Sequence, residues 1–178
     1  MARMVTEFWV FGYGSLMWRP GFEYIERHQA LLRGLHRGLC IYSHVHRGTP
    51  QRPGLVMGLD RGGACRGVAF RVDPARWPAT VDYLRAREQV TMVYLERTVN
   101  VTLVTEPARS VAALTYVVDR SHEQYAGKLS LEEQLAFIRQ GRGGSGPCDE
   151  YVTSVAEHIA ELGLRDSTLE SLHKALKG

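Results

Sequence analysis

The hydrophobic rhythm of the chain changes about two thirds of the way along. Up to residue 118, apolar positions come in short runs or alternate with polar ones, as in strands; beyond it they recur every three or four residues, as in helices. Residues 8–11 read as a short buried strand, and 31–42, with Leu35, Leu39 and Ile41 among arginines and glycines, as a second, irregular one. Residues 55–59 and 64–72 flank Asp60-Arg61-Gly62-Gly63 as the arms of a hairpin, the second arm alternating through Val68, Phe70 and Val72. In 92–104, Val93, Leu95, Val99, Val101 and Leu103 lie opposite Tyr94, Glu96, Thr98, Asn100 and Thr102. Residues 111–118 complete a set of about five or six strands.

One helix is predicted between the strands, over 75–88, and three follow them. Ser130 with Glu133, and Ser167 with Glu170, have capping-box spacing, in which a serine oxygen and a glutamate satisfy each other's orphan N–H groups. A helix over 147–162 opens at Pro147, carries Val152, Val155, Ala156, Ile159 and Leu162 on the face expected to meet the sheet, and ends at Gly163. The glycine-dense segment 141–147 separates two helices and reads as a functional or hinge-like loop. With no repeat, low-complexity tract or linker, a single domain over 1–178 is expected.

Composition narrows the function. The 178 residues are 44% hydrophobic and 23% charged, enough for one sizeable core. The net charge of +3 rests on 22 scattered lysines and arginines that form no stripe, which argues against nucleic acid and suits a small anionic ligand. Cys40, Cys65 and Cys148 are far apart and form no C-x-x-C pair, as expected of cytosolic thiols rather than a disulfide framework or zinc site. The apolar run near the N-terminus is too short for a signal segment, and no stretch approaches the roughly 18 apolar residues of a membrane span. A cytoplasmic protein that does not engage membranes is expected.

Two stretches carry candidate chemistry. In "FGYGSLMW", residues 11–18, two glycines and a serine interrupt an apolar run. This is either a tight turn ending a strand or a loop whose backbone lies against a ligand. It is not a nucleotide loop, since Met17 occupies the third glycine position of a dinucleotide fingerprint and no Gly-Lys-Ser/Thr is present. On the 75–88 helix, Trp77, Val81 and Leu84 form an apolar stripe whose next position is Glu88. Desolvation and the negative end of the helix dipole would raise the pKa of this carboxyl toward that of a usable general base. The alternative is a frayed helix end with Glu88 in water or paired with Arg85 or Arg87. His44 and His46 share a strand face in this reading but lack a third metal ligand. Ser15 lies outside G-x-S-x-G and reads as a hydrogen-bonding or backbone-shaping serine rather than a nucleophile.

Four separated segments, "WVFGYGSLMWRP" at 9–20, "HRG" at 46–48 with "RPGLV" at 52–56, "YLRARE" at 83–88 with Tyr94 beyond it, and "GSGPCDEY" at 144–151, resemble in order and spacing the motifs of the ChaC-like γ-glutamylcyclotransferases. The resemblance runs from about residue 8 to 176. It implies a mixed α+β fold, a small partly closed β-barrel with flanking helices, and cleavage of glutathione to 5-oxoproline and cysteinylglycine without water, metal or cofactor. It further implies that Glu88 acts as base and then acid, and that Gly12, Tyr13, Gly14, Ser15, Leu16 and Met17 bind the glutamyl part. The resemblance also points to Arg47, Tyr94 and Tyr151 as a second set of pocket residues. Two departures touch specificity: Thr91-Met92-Val93 stands where many members have a Gly-Gly pair, and Cys148 where asparagine is common. The same pattern is compatible with other γ-glutamyl amino acids or γ-glutamylamines as substrates. A non-catalytic binding module of this fold would be expected to lose the acid.

Overall fold

The computed structural model describes residues 6–89 and 92–178. Thr91 and the first five residues, on which two of the sequence expectations partly rest, lie outside that range. Five strands, β1 (Phe8–Gly12), β2 (Glu26–Ser43), β3 (Gly54–Val72), β4 (Tyr94–Leu103) and β5 (Arg109–Val118), close into a barrel in the order β1-β3-β2-β4-β5. The expected α+β class holds, and closure is complete because β1 has a partner on each side. It runs antiparallel to β3, with Phe8 opposite Val72 and Gly12 opposite Val68, and parallel to β5, with Trp9 opposite Ala113. No sheet edge is left open there.

The hairpin expected around Asp60-Arg61-Gly62-Gly63 does not form. Residues 54–72 are one strand that passes straight through the four turn-type residues. Gly62 and Gly63 have φ of +104° and +66°, values that turns and mid-strand irregularities equally require of glycine, so the same letters bend a strand here rather than reverse it. The imidazole of His36 on β2 lies 3.0 Å from the Gly62 carbonyl and braces the irregularity.

The chain divides into two compact units, one comprising residues up to His36 with Arg61–Val117, the other Arg37–Asp60 with Val118–Gly178. In the first unit, a 3-10 turn (Pro74–Arg76) leads into helix α1 (Trp77–Glu88). Trp77 stacks on Phe8 with ring centroids 4.9 Å apart, and Leu84 enters a cluster with Val10, Leu16, Val72 and Tyr116. The stripe read from sequence is therefore the packing face of α1. Burial of this kind is the main favourable term in holding a short helix that lacks a side-chain N-cap.

The second unit holds α2 (Leu131–Gln140), the two-residue strands β6 (Arg142–Gly143) and β7 (Gly146–Pro147), α3 (Cys148–Glu161) and α4 (Ser167–Lys177). The Ser130–Glu133 capping box is present as expected. Ser167, by contrast, is the first residue of α4. Asp166 is its N-cap, accepting from the Leu169 N–H, because a carboxylate one residue earlier makes the same bond with a full charge at the positive helix end. Pro147 precedes α3 rather than opening it, and the buried face of α3 is Cys148, Val152, Val155 and Ile159. The segment 141–147 folds back as the β6–β7 hairpin, its Gly144 and Ser145 N–H groups donating to the Val45 and His46 carbonyls. Among the described residues, no helix is long and apolar enough to cross a membrane.

Because Leu84 is fully buried in the cluster that seats α1, Leu84→Ala should lower the unfolding free energy by about 2–5 kcal/mol, read from the urea midpoint at unchanged m-value.

Candidate active site

Strand β1 ends at Gly12, and the chain turns through Tyr13 and Gly14 into a 3-10 turn, Ser15–Met17, closed by a Met17 N–H to Gly14 carbonyl bond of 2.9 Å. The six expected binding residues divide by exposure. Tyr13, Leu16 and Met17 are buried and anchor the turn in the core, whereas Gly14 is half-buried and Ser15 is exposed. The two glycines also differ in kind. A β-carbon at Gly12 would come within 2.9 Å of Leu16 Cβ, so Gly12 is required by packing; at Gly14 it would meet no atom within 4 Å. Gly14 thus presents bare backbone to open space, the property a loop needs if a ligand is to approach its main chain.

Helix α1 reaches to Glu88, which settles the question of a frayed end. The letters Tyr83-Leu84 and Arg87-Glu88 fall one helical turn apart and make two adjacent stripes. Leu84 leads down into the core and Glu88 lies at the end of that stripe, its side chain 19% exposed. Desolvation by burial lifts the Glu88 pKa above the ordinary carboxylate range, and the Arg87 guanidinium, with Nε 3.7 Å from Glu88 Oε1, offsets part of the rise.

Tyr83 and Arg87 form the other stripe, toward the β1 turn. Arg87 Nη2 donates to Ser15 Oγ at 2.7 Å, and Nη1 donates to the Arg19 carbonyl at 2.8 Å and to Tyr83 Oη at 3.1 Å. The serine is a hydrogen-bond acceptor, in line with the sequence reading, and its partner was not foreseen. Arg87 enters the sequence reading only as a possible ion-pair partner of Glu88, and that contact is made at 3.7 Å. Its spacing from Tyr83 is the one local clue, because its other acceptors, Ser15 Oγ and the Arg19 and Pro20 carbonyls, lie more than sixty residues away in sequence.

Tyr94, at the start of β4, packs against the cluster that contains Leu16 and Leu84. Next to it in space is a polar network also missed from sequence. Tyr116 on β5 donates from its hydroxyl to Glu96 on β4 at 2.8 Å, and Arg85 on α1 grips both oxygens of Glu96 at 3.0 and 3.1 Å. Arg85 holds the Glu96 pKa below the ordinary range, and burial together with Glu96 pushes the Tyr116 phenol up.

Arg47 and Tyr151 belong to the second unit, where their polar atoms engage its own framework. Arg47 donates to the Pro147 carbonyl at 3.1 Å and lies 5.4 Å over the Tyr151 ring, while Tyr151 Oη accepts from the Met57 N–H at 3.0 Å. Cys148 is fully buried, accepts from the Leu55 N–H and donates to the Leu55 carbonyl. Burial raises its thiol pKa, so it is a two-way hydrogen-bonding group rather than a thiolate. His44 and His46 do not share a strand face: β2 ends at Ser43, the chain bends there, and His46 meets Ser145 Oγ at 3.1 Å. Among the described residues, no group of three His, Cys, Asp or Glu side chains is placed to hold a metal ion.

The Gly12–Met17 turn, with no side chain on Gly14, and the raised-pKa carboxyl of Glu88 lie in the same unit, joined through one arginine. A family model described as ChaC-like protein matches residues 8–178. The chain belongs to the ChaC-like family. A relative from Escherichia coli K12, glutathione-specific gamma-glutamylcyclotransferase, is 31% identical to this ChaC-like protein over 169 residues, covering 95% of this chain and 72% of the relative. The Danio rerio relative, glutathione-specific gamma-glutamylcyclotransferase 1, is 34% identical over 156 residues, or 86% of this chain and 80% of the relative. The crystal structure of a yeast gamma-glutamyl cyclotransferase specific to glutathione superposes with a TM-score of 0.84 at 22% identity, covering 97% of this ChaC-like chain and 96% of the other, and shares its fold.

The Glu88 carboxyl makes a prediction about stability in this ChaC-like protein. A group whose folded pKa is raised favours the folded state while protonated, and that favour is lost as pH rises through the folded pKa. Glu88→Gln, which cannot ionise, should therefore gain stability relative to wild type on going from about pH 4 to about pH 8, a range that starts near the unfolded glutamate value. Urea unfolding of both proteins at the two pH values checks this; an equal difference at both would mean the carboxyl is not desolvated.

Proposed function

We propose that this protein is a γ-glutamylcyclotransferase that converts glutathione to 5-oxoproline and cysteinylglycine, with Glu88 moving the proton and the Gly12–Met17 turn holding the glutamyl part. The observation that carries the reading is the raised-pKa carboxyl of Glu88, joined through Arg87 to a turn in which Gly14 is half-buried without a side chain and Ser15 is exposed. The names of the relatives point to the substrate class. Three free cysteines fit the reducing cytoplasm in which we place the enzyme.

The chemistry asks little of the protein. The substrate's α-ammonium, with an ordinary pKa of about 8, must lose a proton before its nitrogen can attack. The Glu88 carboxylate accepts it. The freed amine closes on the γ-carbonyl, a C–N bond forms within a five-membered ring, and the electron pair of the old amide C–N bond leaves with the cysteinyl nitrogen. That nitrogen takes the proton back from Glu88, and the second proton, shed by the ring nitrogen as the lactam forms, passes to it by the same carboxylate, so the amine departs as an ammonium and the reaction balances without water. Attack within one well-oriented molecule corresponds to effective molarities of roughly 10⁵–10⁸ M, so bending the glutamyl chain is the main task left to the binding turn. Backbone near Gly14, where no side chain intrudes, is where its α-carboxylate would lie.

Purified protein incubated with glutathione should release 5-oxoproline, measured by mass spectrometry. Glu88→Gln should fold and lose turnover by roughly 10²–10⁴-fold. Gly14→Ala should melt like wild type yet lose about tenfold or more in kcat/KM, whereas Gly12→Ala should lose stability. Product only from γ-glutamyl amino acids or γ-glutamylamines would reject glutathione as substrate, product from none would reject the enzyme reading, and a folded Gly14→Ala with wild-type kcat/KM would reject the role of the turn.

A further inference from the structure

We infer that Arg87 is the positioning residue of this site, one planar guanidinium that holds residues 15–20 and the Glu88 carboxyl in a single register; the inference rests on the cyclotransferase reading. Its contacts span both halves of the proposed machinery. Nη2 donates to Ser15 Oγ at 2.7 Å, Nη1 reaches the carbonyls of Arg19 at 2.8 Å and Pro20 at 3.4 Å and Tyr83 Oη at 3.1 Å, and Nε lies 3.7 Å from Glu88 Oε1. Such a fan of donors from one rigid plane is specific to arginine; a lysine ammonium supplies the charge from a single point and cannot span the same acceptors.

Location separates this role from one in folding. The turn is already anchored by Leu16 and Met17, which are buried, so its attachment to the core does not depend on Arg87. Arg87 instead bonds the outward part, where Ser15 is exposed and Gly14 half-buried. Tyr83 extends the same grip: Gly21, with φ of +75°, packs so closely on the Tyr83 hydroxyl that a β-carbon there would overlap it. The segment after β1 is thus fixed to the α1 stripe next to the one that ends in Glu88.

The charge acts as well as the shape. Among the described residues, Tyr116 of β5 also interacts with Glu88, and its hydroxyl is already committed to Glu96 of β4, which Arg85 of α1 grips in turn. Among the described residues, Arg87 is the cation beside Glu88, and it counteracts the upward push of burial. Removing its charge should move the Glu88 pKa further up; keeping the charge on a lysine should leave it near its place while losing the fan of bonds to the turn.

The test measures kcat and KM with glutathione over about pH 5–9 for wild type, Arg87→Gln and Arg87→Lys, alongside a carbon-13 titration of the Glu88 carboxyl, assigned by its loss in Glu88→Gln. Arg87→Gln should raise KM by roughly tenfold or more and move the acid limb of kcat/KM and the carboxyl titration to higher pH by about half a unit or more. Arg87→Lys should show the rise in KM with both titrations close to wild type. A folded Arg87→Gln with wild-type KM and an unmoved acid limb would overturn the inference. Should Arg87→Gln fail to fold, Arg87→Lys decides: a wild-type KM there overturns it equally. A wild type silent on glutathione and on other γ-glutamyl compounds would reject the cyclotransferase reading itself, an outcome distinct from an active enzyme indifferent to Arg87.

Discussion

Leu84 of helix α1 and Leu16 of the β1 turn meet in one apolar cluster with Val10, Val72 and Tyr116, and the rest of the site depends on that contact. Interiors pack as densely as organic crystals, so two elements sharing such a cluster are set against each other within narrow limits. This is what allows a side chain three residues further along the helix to meet a particular serine. The bonds from Arg87 to Ser15 and Arg19 are polar and half-exposed, and bonds of that kind contribute little to stability on their own. They can define a register only because Leu84 and Leu16 have already fixed the distance.

The cluster also creates the electrostatic contrast between two glutamates of the first unit. Glu88 continues the buried stripe, so desolvation dominates and its pKa rises. Glu96 has Arg85 across both its oxygens and the Tyr116 hydroxyl on one of them, so its pKa falls and it stays ionised. Environments that push like groups apart commonly mark the division between a reactive acid and a structural one. An ionised Glu88 in that place costs stability, and a glutamine would fit the stripe with less penalty; the proton transfer proposed for Glu88 is what would offset that cost.

Much of the architecture was legible because burial imposes a period. Four of the five barrel strands, the helix over 75–88 and the Ser130 cap follow from rules local to a few residues. The failures share a cause. Asp60-Arg61-Gly62-Gly63 and Ser167–Glu170 are local patterns with two solutions each, and the choice was made by neighbours: His36 beside a strand that continues, and Asp166 one residue ahead of the helix. In the site, Glu88 was visible as an acid on an apolar stripe. Arg87 was not, since its role is written in carbonyls of Arg19 and Pro20, and a backbone acceptor more than sixty residues away leaves no mark in the letters. The distinction between Gly12 and Gly14 was equally hidden, because it depends on where Leu16 Cβ lies.

On the proposed chemistry, the small size of the site follows from the substrate. A molecule that brings its own nucleophile needs neither an activated serine nor a second base, so one carboxyl suffices if it can both take and return a proton. That double duty restricts its pKa from both sides. At the ordinary carboxylate value, Glu88 would draw a proton from an ammonium only weakly; raised too far, it would be protonated before substrate arrives. Burial alone gives no control over where between these limits the pKa comes to rest. An adjacent guanidinium does, because its influence opposes burial and its distance is set by bonds to the same turn that is proposed to hold the substrate. Under that proposal, positioning and acidity are adjusted by a single side chain, the arginine immediately before the acid in the last turn of α1.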